Sequence, residues 1–512
     1  MATFLTRRAV SAGLAVAVAM PAPLRAADRG RLRIGMPSYP ATLDPITIYL
    51  TPGLRTLSNV FEPLIDFDFR QNYALRPALA ESWQRLDPHR VRFRLRPDVR
   101  FHDGGTMTAA DVVFSLAPAR REGVPAAYGS IAAPFQGSIS EVIAASDRDV
   151  DVVTAYPDPV LEQKLAAWSC QIVSRSAFEA AGGWPNWLRR PIGTGPYRIT
   201  DTQLDTRLLL TAYDAYWGGR PGWSEIEFRS INQLSSRIAS LQAGGLDLIT
   251  DVTPDHFQAL ATGDLEVVGG ELPQYRIVGF DSGWGPLRDA RLRRALSLAV
   301  DRDAITGGLW GGRVGVPRGP QVPAYGDTYL EDIPRPGFDL AEARRLVRDS
   351  GYAGEVIPYR IQPAYYPNQL LTAQVLVEQW RAAGIRVELA VMENFSQILA
   401  RPIHAIFDYS ISMAWPDITG MLWRLWGKKA IFQSKFQVWS NAEFNRLGEQ
   451  MERSFDVAER RQLHRRILEI ATHDDPPFLI LHSNGAFFGR RRGVAWTPPN
   501  TLLMEFGPRS KS

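Results

Sequence analysis

This sequence predicts an α/β fold in which helices pack on sheets, and two observations carry that expectation. Helix, glycine and strand signals follow one another at two separate places, and near the N-terminal end a strand shows strict two-residue alternation. From 232 to 250 the apolar positions Leu234, Ile238 and Leu241 share one helical face, Gly244-Gly245 stops the helix, and Leu246-Asp247-Leu248-Ile249 reads as a strand. From 370 to 389 Leu371, Val375 and Trp380 precede Gly384, after which Ile385-Arg386-Val387-Glu388-Leu389 alternates. A chain of 512 residues exceeds one ordinary domain. It contains no fixed-period repeat, low-complexity tract or long linker, so it predicts lobes that exchange segments.

Taken in order, residues 1–27 read as an address. Thr6-Arg7-Arg8 is followed by an apolar run from Ala9 to Met20 and by Leu24-Arg25-Ala26-Ala27, which predicts a signal peptide cleaved after Ala26 or Ala27. The run is shorter than the roughly 20 residues of a membrane span. Thr6-Arg7-Arg8-Ala9-Val10 is similar to a twin-arginine export signal, with Val10 and Ser11 departing from that pattern, so Sec and twin-arginine export both stay open. A periplasmic location follows, with no lipid-anchor cysteine after the leader.

Beyond the leader, Leu32 to Met36 is a short strand, and Arg90 to Arg96 a plainer one. There Val91, Phe93 and Leu95 face a core while four arginines share the other face, which predicts a solvated strand face, with an acidic ligand as the alternative. Thr108 with Asp111 forms a capping-box pattern ahead of Val112, Val113, Phe114 and Leu116. Further helices are expected over Asp289 to Val300, Asp339 to Ser350 and Val457 to Ala471.

Composition excludes several classes. With 45% apolar and 22% charged residues the chain is that of a water-soluble globular protein. Its 58 Lys+Arg against 54 Asp+Glu give a formal charge of +4, and Arg7, Arg8 and Arg25 lie in the leader, which leaves a mature surface close to neutral. No charge excess points to nucleic acid or an anionic membrane. The single cysteine, Cys170, can form neither an internal disulfide nor a cysteine-rich metal site. There is no Gly-x-Ser-x-Gly elbow, His-Glu-x-x-His, Walker loop or dinucleotide fingerprint. The seven histidines lack metal-ligand spacing, a site from distant His404 and His482 being the one alternative. His473-Asp474-Asp475, ahead of Pro476-Pro477 and Phe478 to Leu481, reads as a turn between a helix and a buried strand rather than an acid–base pair.

Fourteen tryptophans are the unusual feature, with Trp415, Trp423 and Trp426 clustered. Trp415-Pro416-Asp417-Ile418-Thr419-Gly420 follows the strand signal Tyr409-Ser410-Ile411, placing Trp415 and Asp417 near a strand end, where α/β folds carry ligands. An aromatic wall beside a carboxylate suits a cationic or amine-bearing ligand. A purely structural turn is the competing reading.

Several stretches carry a family resemblance. They are Asn59 to Leu64, Pro77 to Trp83, Phe93 to Gly104 with Thr108 to Val112, Gly193-Thr194-Gly195-Pro196-Tyr197, Ala299-Val300-Asp301-Arg302 and Asp339 to Tyr352. The mature chain resembles the family 5 extracellular solute-binding proteins of ABC importers, the oligopeptide, dipeptide, nickel and opine binding group. The resemblance implies a two-lobed periplasmic binding protein fold with a hinge and an extra subdomain inserted in the first lobe. It implies lobe I over 28–59, 190–278 and 484–512, the insert over 60–189 and lobe II over 279–483. It implies capture of a peptide-like or other small polar solute and delivery to the permease subunits of an inner-membrane transporter, with a sensor as another possible partner. A monomer is expected, with no nucleic acid, no cofactor, no resident metal and no enzymatic activity. For ligand contacts it implies Asp417 first, as the carboxylate for an α-amine, then Trp415, Tyr39 and Trp284. A secreted hydrolase on a similar scaffold and a nickel-type metal-chelate binder are the alternatives. The turns at His102-Asp103-Gly104 and Gly193 to Tyr197 are read as architectural.

Overall fold

The computed structural model describes residues 30–40, 42–48, 50–126, 131–363 and 365–508. The expected leader and its cleavage site therefore lie outside the described residues. Along the chain the strands are β1 (Arg31–Met36), β2 (Ile65–Asp68), β3 (Ala74–Pro77), β4 (Ala80–Asp87), β5 (Arg90–Leu95), β6 (Ile139–Ala144), β7 (Asp149–Thr154), β8 (Tyr197–Gln203), β9 (Arg207–Ala212), β10 (Glu225–Ser230), β11 (Leu248–Ile249), β12 (Leu265–Phe280), β13 (Ile357–Ile361), β14 (Val387–Val391), β15 (Ile406–Ser412) and β16 (Phe478–Arg491). Ten of them form one sheet in the order β14-β13-β15-β12-β16-β11-β1-β10-β9-β8, β4-β5-β7-β6 form a second, and β2 pairs with β3. The large sheet is mixed: β1 is parallel to β10 and β11, and β13 to β14 and β15, whereas β12 runs antiparallel to β15 and β16.

β12 has 16 residues and β16 has 14, so β12 reaches about 50 Å at roughly 3.3 Å per residue. That is enough to serve two cores, and the side chains divide accordingly. Ahead of Pro273, Leu265 joins the core of Ile238, Leu241 and Phe487, while Leu272 joins that of Leu32, Ile34, Ala486 and Phe488. Past it, Tyr275 and Ile277 pack with Phe478 and Ile480, and Val278 and Phe280 with Leu479 and Leu481 on the opposite face. The β12–β16 pairing shifts register between Glu271 and Tyr275, and again between Arg276 and Ile277. Pro273 accounts for the first break, because it has no N–H to give the ladder.

The second sheet has its own core, in which Val91, Phe93 and Leu95 meet Val150, Val152, Val112 and Leu116. The alternation of β5 is as expected, but its arginine face has protein partners: Arg92 pairs with Asp151 at 2.7 Å and Arg94 with Asp149 at 2.7 Å, both across to β7. Helices occupy Ala109–Leu116, Leu234–Gln242, Ala290–Leu298, Leu340–Asp349, Gln369–Ala382 and Val457–Glu469. At the first of these Thr108 N donates to Asp111 Oδ2 at 2.9 Å, as the capping-box pattern requires. Two expected strands begin later than the sequence pattern suggests. Ile385 N still donates to Trp380 O of the preceding helix, and Asp247 turns its carboxylate onto Arg33, so pairing starts at Val387 and Leu248. Among the described residues no helix is long and apolar enough to cross a membrane.

The architectural turns meet at the root of the second sheet. His102 N donates to Gly193 O at 3.0 Å, Gly195 N to Val60 O at 2.9 Å and Tyr197 N to Asn59 O at 3.0 Å. The chain thus leaves and re-enters the large sheet through one knot. A Cβ at Gly195 would lie 2.6 Å from Asn59 O, so only glycine fits that approach. His102 Nε2 bonds Gly195 O at 2.9 Å. His464 Nδ1 holds Thr328 O and His482 Nδ1 holds Ser483 O. Burial pushes all three imidazoles down to about 4. The unfolded chain takes up protons near pH 6.5 that the folded chain refuses. These groups therefore favour the folded state fully above about pH 6.5 and progressively less as pH falls toward 4. Asp251, which burial raises but Arg55 pulls down to about 2, acts only at lower pH. Urea unfolding should thus show stability falling between pH 6.5 and 4, with a shallower slope in His102→Gln; an identical slope would place the protonation elsewhere.

Candidate ligand-binding cleft

A cavity of about 1040 Å³ lies where the β12–β16 ladder breaks, with Leu272, Pro273 and Gln274 in its lining. One wall comes from the region of the second sheet and its surroundings, including Phe67, Phe135, Tyr156, Lys164 and Trp168. The facing wall is the end of β15 and the segment after it, with Tyr409, Trp415, Trp423, Arg424 and Phe436. The volume is at the upper end for a small-molecule pocket.

Trp415 is aimed by a relay. After β15 the chain turns tightly: Asp417 N donates to Trp415 O at 2.8 Å, Gly420 N to Asp417 O at 2.7 Å, and Ala414 N to Gly420 O at 2.9 Å. Trp415 Nε1 donates to Thr419 Oγ1 at 3.0 Å, and Thr419 Oγ1 donates to Asp417 Oδ1 at 2.6 Å. The same oxygen accepts from Thr419 N at 2.8 Å and from Arg460 Nη2 at 2.7 Å. The indole is thereby driven across the cleft into the core of the second sheet, where it is 2% exposed, 5.6 Å from the Phe135 ring and 5.8 Å from Lys164 Nζ. Other contacts bridge the walls nearby. Tyr156 OH donates to Glu452 Oε1 at 3.3 Å, and the Arg453 guanidinium lies 5.1 Å from the Tyr156 ring.

The four residues expected at the ligand do not come together. Trp415 lines the cavity. Asp417 is absent from that lining: it is buried, and its Oδ1 is engaged by Arg460 and Thr419, which makes it the anchor of the Trp415 turn. Tyr39 packs against the core of Leu32 and Ile34 away from the cavity lining, with burial pushing its hydroxyl up to about 12. Trp284 stacks on His404 at 5.8 Å and packs against the core of Phe280 and Leu296. Its loop is pinned by Asp281, which accepts from His404 N at 2.8 Å.

Other cleft groups are only weakly signalled in the sequence. Glu62 is a buried carboxylate that receives Thr194 Oγ1, Tyr216 OH and Trp217 Nε1 at 2.7–3.0 Å. Lys164 is held at 2.8 Å by Asp158. Arg424 stands inside the apolar run Met421 to Trp426, and a lone arginine among large apolar neighbours is itself a signal of a buried charge. Cys170 is buried, and burial pushes its thiol up to about 12, far from a reactive thiolate. Among the described residues no group of three or more His, Cys, Asp or Glu is arranged to hold a metal ion.

Comparison with known proteins places the chain among solute-binding proteins. Over residues 74–433 the sequence matches the bacterial extracellular solute-binding proteins, family 5 Middle, and the chain belongs to that family. The dipeptide-binding protein of Escherichia coli (strain K12) is 25% identical over 465 residues, covering 85% of this chain and 85% of its own length. Heme-binding protein A of Haemophilus influenzae is 26% identical over 462 residues, covering 83% and 82%. Among solved structures, the ABC transporter-associated periplasmic binding protein DppA from Helicobacter pylori, in complex with the peptide STSA, superposes with a TM-score of 0.83 at 21% identity, covering 93% of this chain and 98% of that one. The fold is the two-lobed α/β architecture expected.

Asp417→Ala should unfold more easily than wild type by about 3–5 kcal/mol, because it leaves Arg460 buried without its carboxylate and cuts the relay to Trp415. Urea denaturation reads this directly. A loss under about 1 kcal/mol would mean that the carboxylate is not structural.

Proposed function

We propose that this protein is the periplasmic solute receptor of an ABC importer. It captures a peptide-like or other small polar solute in the cleft and hands it to the permease, without altering it chemically. The observation that carries this reading is a large cavity set at the break of two strands whose side chains serve different cores on either side of it, with an aromatic arm from one wall buried in the other. The lobes are assigned as 28–59, 190–278 and 484–512 for the first, 60–189 for its insert and 279–483 for the second. They close by bending at Leu272–Gln274, where the ladder is already interrupted, which moves the first crossing from 278 to about 273 because Tyr275, Ile277 and Val278 pack with the second lobe's cores. Export by the N-terminal leader and action as a monomer complete the proposal.

The relatives support a receptor whose solute is set by its cleft lining rather than by its fold. The name of one refers to dipeptides and that of another to heme, and the Helicobacter pylori protein carries the peptide STSA. In this chain Trp415, Trp423, Tyr409 and Phe436 supply apolar walls. Backbone groups and bound water then hold polar parts of the solute, as in permissive peptide sites.

Mass spectrometry of small molecules released on denaturing protein from native periplasm tests the proposal. One intact solute per chain is expected from wild type, with much lower retention in Trp415→Ala, since that change removes the arm that crosses the cleft. Recovery of cleaved products, or turnover of candidate peptides, would replace the receptor with an enzyme.

A further inference from the structure

The charges in the cleft are not those of a site for a cationic ligand. Asp66 is paired with Arg76 at 2.8 Å, Glu449 with Lys428 at 3.2 Å, and Glu452 faces Tyr156 and Lys164. Glu62 is engaged by three neutral donors, and Glu505, the remaining carboxylate in the lining, is not free either. Among the described residues Arg424, Lys429, Lys435 and Arg453 line the same cavity without a carboxylate in ion-pair range.

Arg424 is the most constrained of these cations. Its Nε donates to Gly420 O at 3.3 Å, and its Nη2 to Ser412 O at 3.0 Å and Ser412 Oγ at 3.4 Å. Nη1 has no protein acceptor among the described residues. Burial pulls the guanidinium down to about 10, and the part of the side chain left accessible opens on the cavity that it lines.

Fully buried arginines elsewhere show what a structural role looks like here. Arg302, pulled down to about 10 by the same cause, donates to the carbonyls of Ile480, Ser297, Val300 and Gly337 and to Ser297 Oγ. Arg276 pairs with Asp408 at 2.9 Å, Arg55 with Asp251 at 2.6 Å, Arg120 with Asp44 at 2.6 Å and Arg460 with Asp417 at 2.7 Å. Arg424, half-buried where those arginines are fully buried, has neither a carboxylate nor a full set of carbonyls, and the part of its guanidinium that faces the cavity is left for a ligand or water to neutralise.

Resting on the solute-receptor reading above, we propose that Arg424 is an anion subsite, so that the solute is an organic acid whose carboxylate docks on this guanidinium while its apolar body lies against Trp415 and Trp423. The rigid bonds to Ser412 and Gly420 fix the plane of the guanidinium, which gives the subsite direction as well as charge. Lys429, Lys435 and Arg453 set a positive potential around it, favouring solutes with a net negative charge.

The probes are 2-naphthoate and its uncharged isostere 2-naphthamide, titrated into the full-length mature protein by calorimetry. Wild type is expected to prefer the acid over the amide by about tenfold or more, and raising salt should narrow the gap. Arg424→Gln should remove that preference while changing amide affinity less than about twofold, with Arg424→Lys intermediate. The wild-type preference needs no variant and tests the anion selectivity of the cleft, and loss of that preference in Arg424→Gln with part retained in Arg424→Lys assigns it to Arg424 rather than to Lys429, Lys435 or Arg453. Equal binding of acid and amide by wild type, absence of saturable naphthoate binding up to about 10 mM, or an unchanged preference in a folded Arg424→Gln protein would overturn the proposal. The receptor reading fails separately, if native protein releases no solute; a released neutral or cationic solute with the two probes bound alike removes only the anion subsite.

Discussion

Everything in this molecule depends on two strands being too long for one core. β12 and β16 pair over most of their length, yet their side chains change partners halfway: Leu272 and Ala486 belong to one core, Tyr275 and Ile480 to another. A continuous ladder would weld the two halves into one rigid slab. Pro273 interrupts it, and with Leu272 and Gln274 it forms the floor of the cavity. The cleft therefore lies where the ladder breaks, between the core that takes Leu272 and the core that takes Tyr275. Asn484 Nδ2 donates to Gln274 Oε1 at 2.6 Å there, a side-chain bond in place of the missing backbone bonds.

The local elements were legible in the sequence because their causes are local. Alternation in Arg90 to Arg96, the Thr108–Asp111 box and the stop at Gly384 are each written within a few residues, and each appears in the structure. What was not legible is what lies far along the chain. The arginine face of β5 is solvent-exposed as its alternation suggests, but its acidic partners Asp149 and Asp151 come from β7, more than fifty positions later. The mixed sheet likewise needs pairings between β1 and β10 that no window of sequence contains.

The Trp415 segment shows the same limit at the site. Sequence places an aromatic and a carboxylate at a strand end, and both are there, but Arg460 comes from a helix 43 positions later and takes the carboxylate first. Residue types define what a side chain is able to do, and the long-range partner decides which of those things it does. Asp417 is thereby made the fixed end of a relay through its Oδ1, while Arg424, seven positions on, is left without such a partner.

These two outcomes set the energy of closure against itself. Burying the Trp415 indole in the opposite wall favours the closed cleft by something on the order of 3 kcal/mol. Enclosing the Arg424 guanidinium without a counter-ion opposes it by a similar order. A receptor whose arm alone governed closure would shut whether or not solute was present, and one with only the buried charge would never shut. Under the anion-subsite proposal a carboxylate bound at Arg424 would offset that cost, so that the arm would supply the drive to close and the charge would make closure depend on what has been captured.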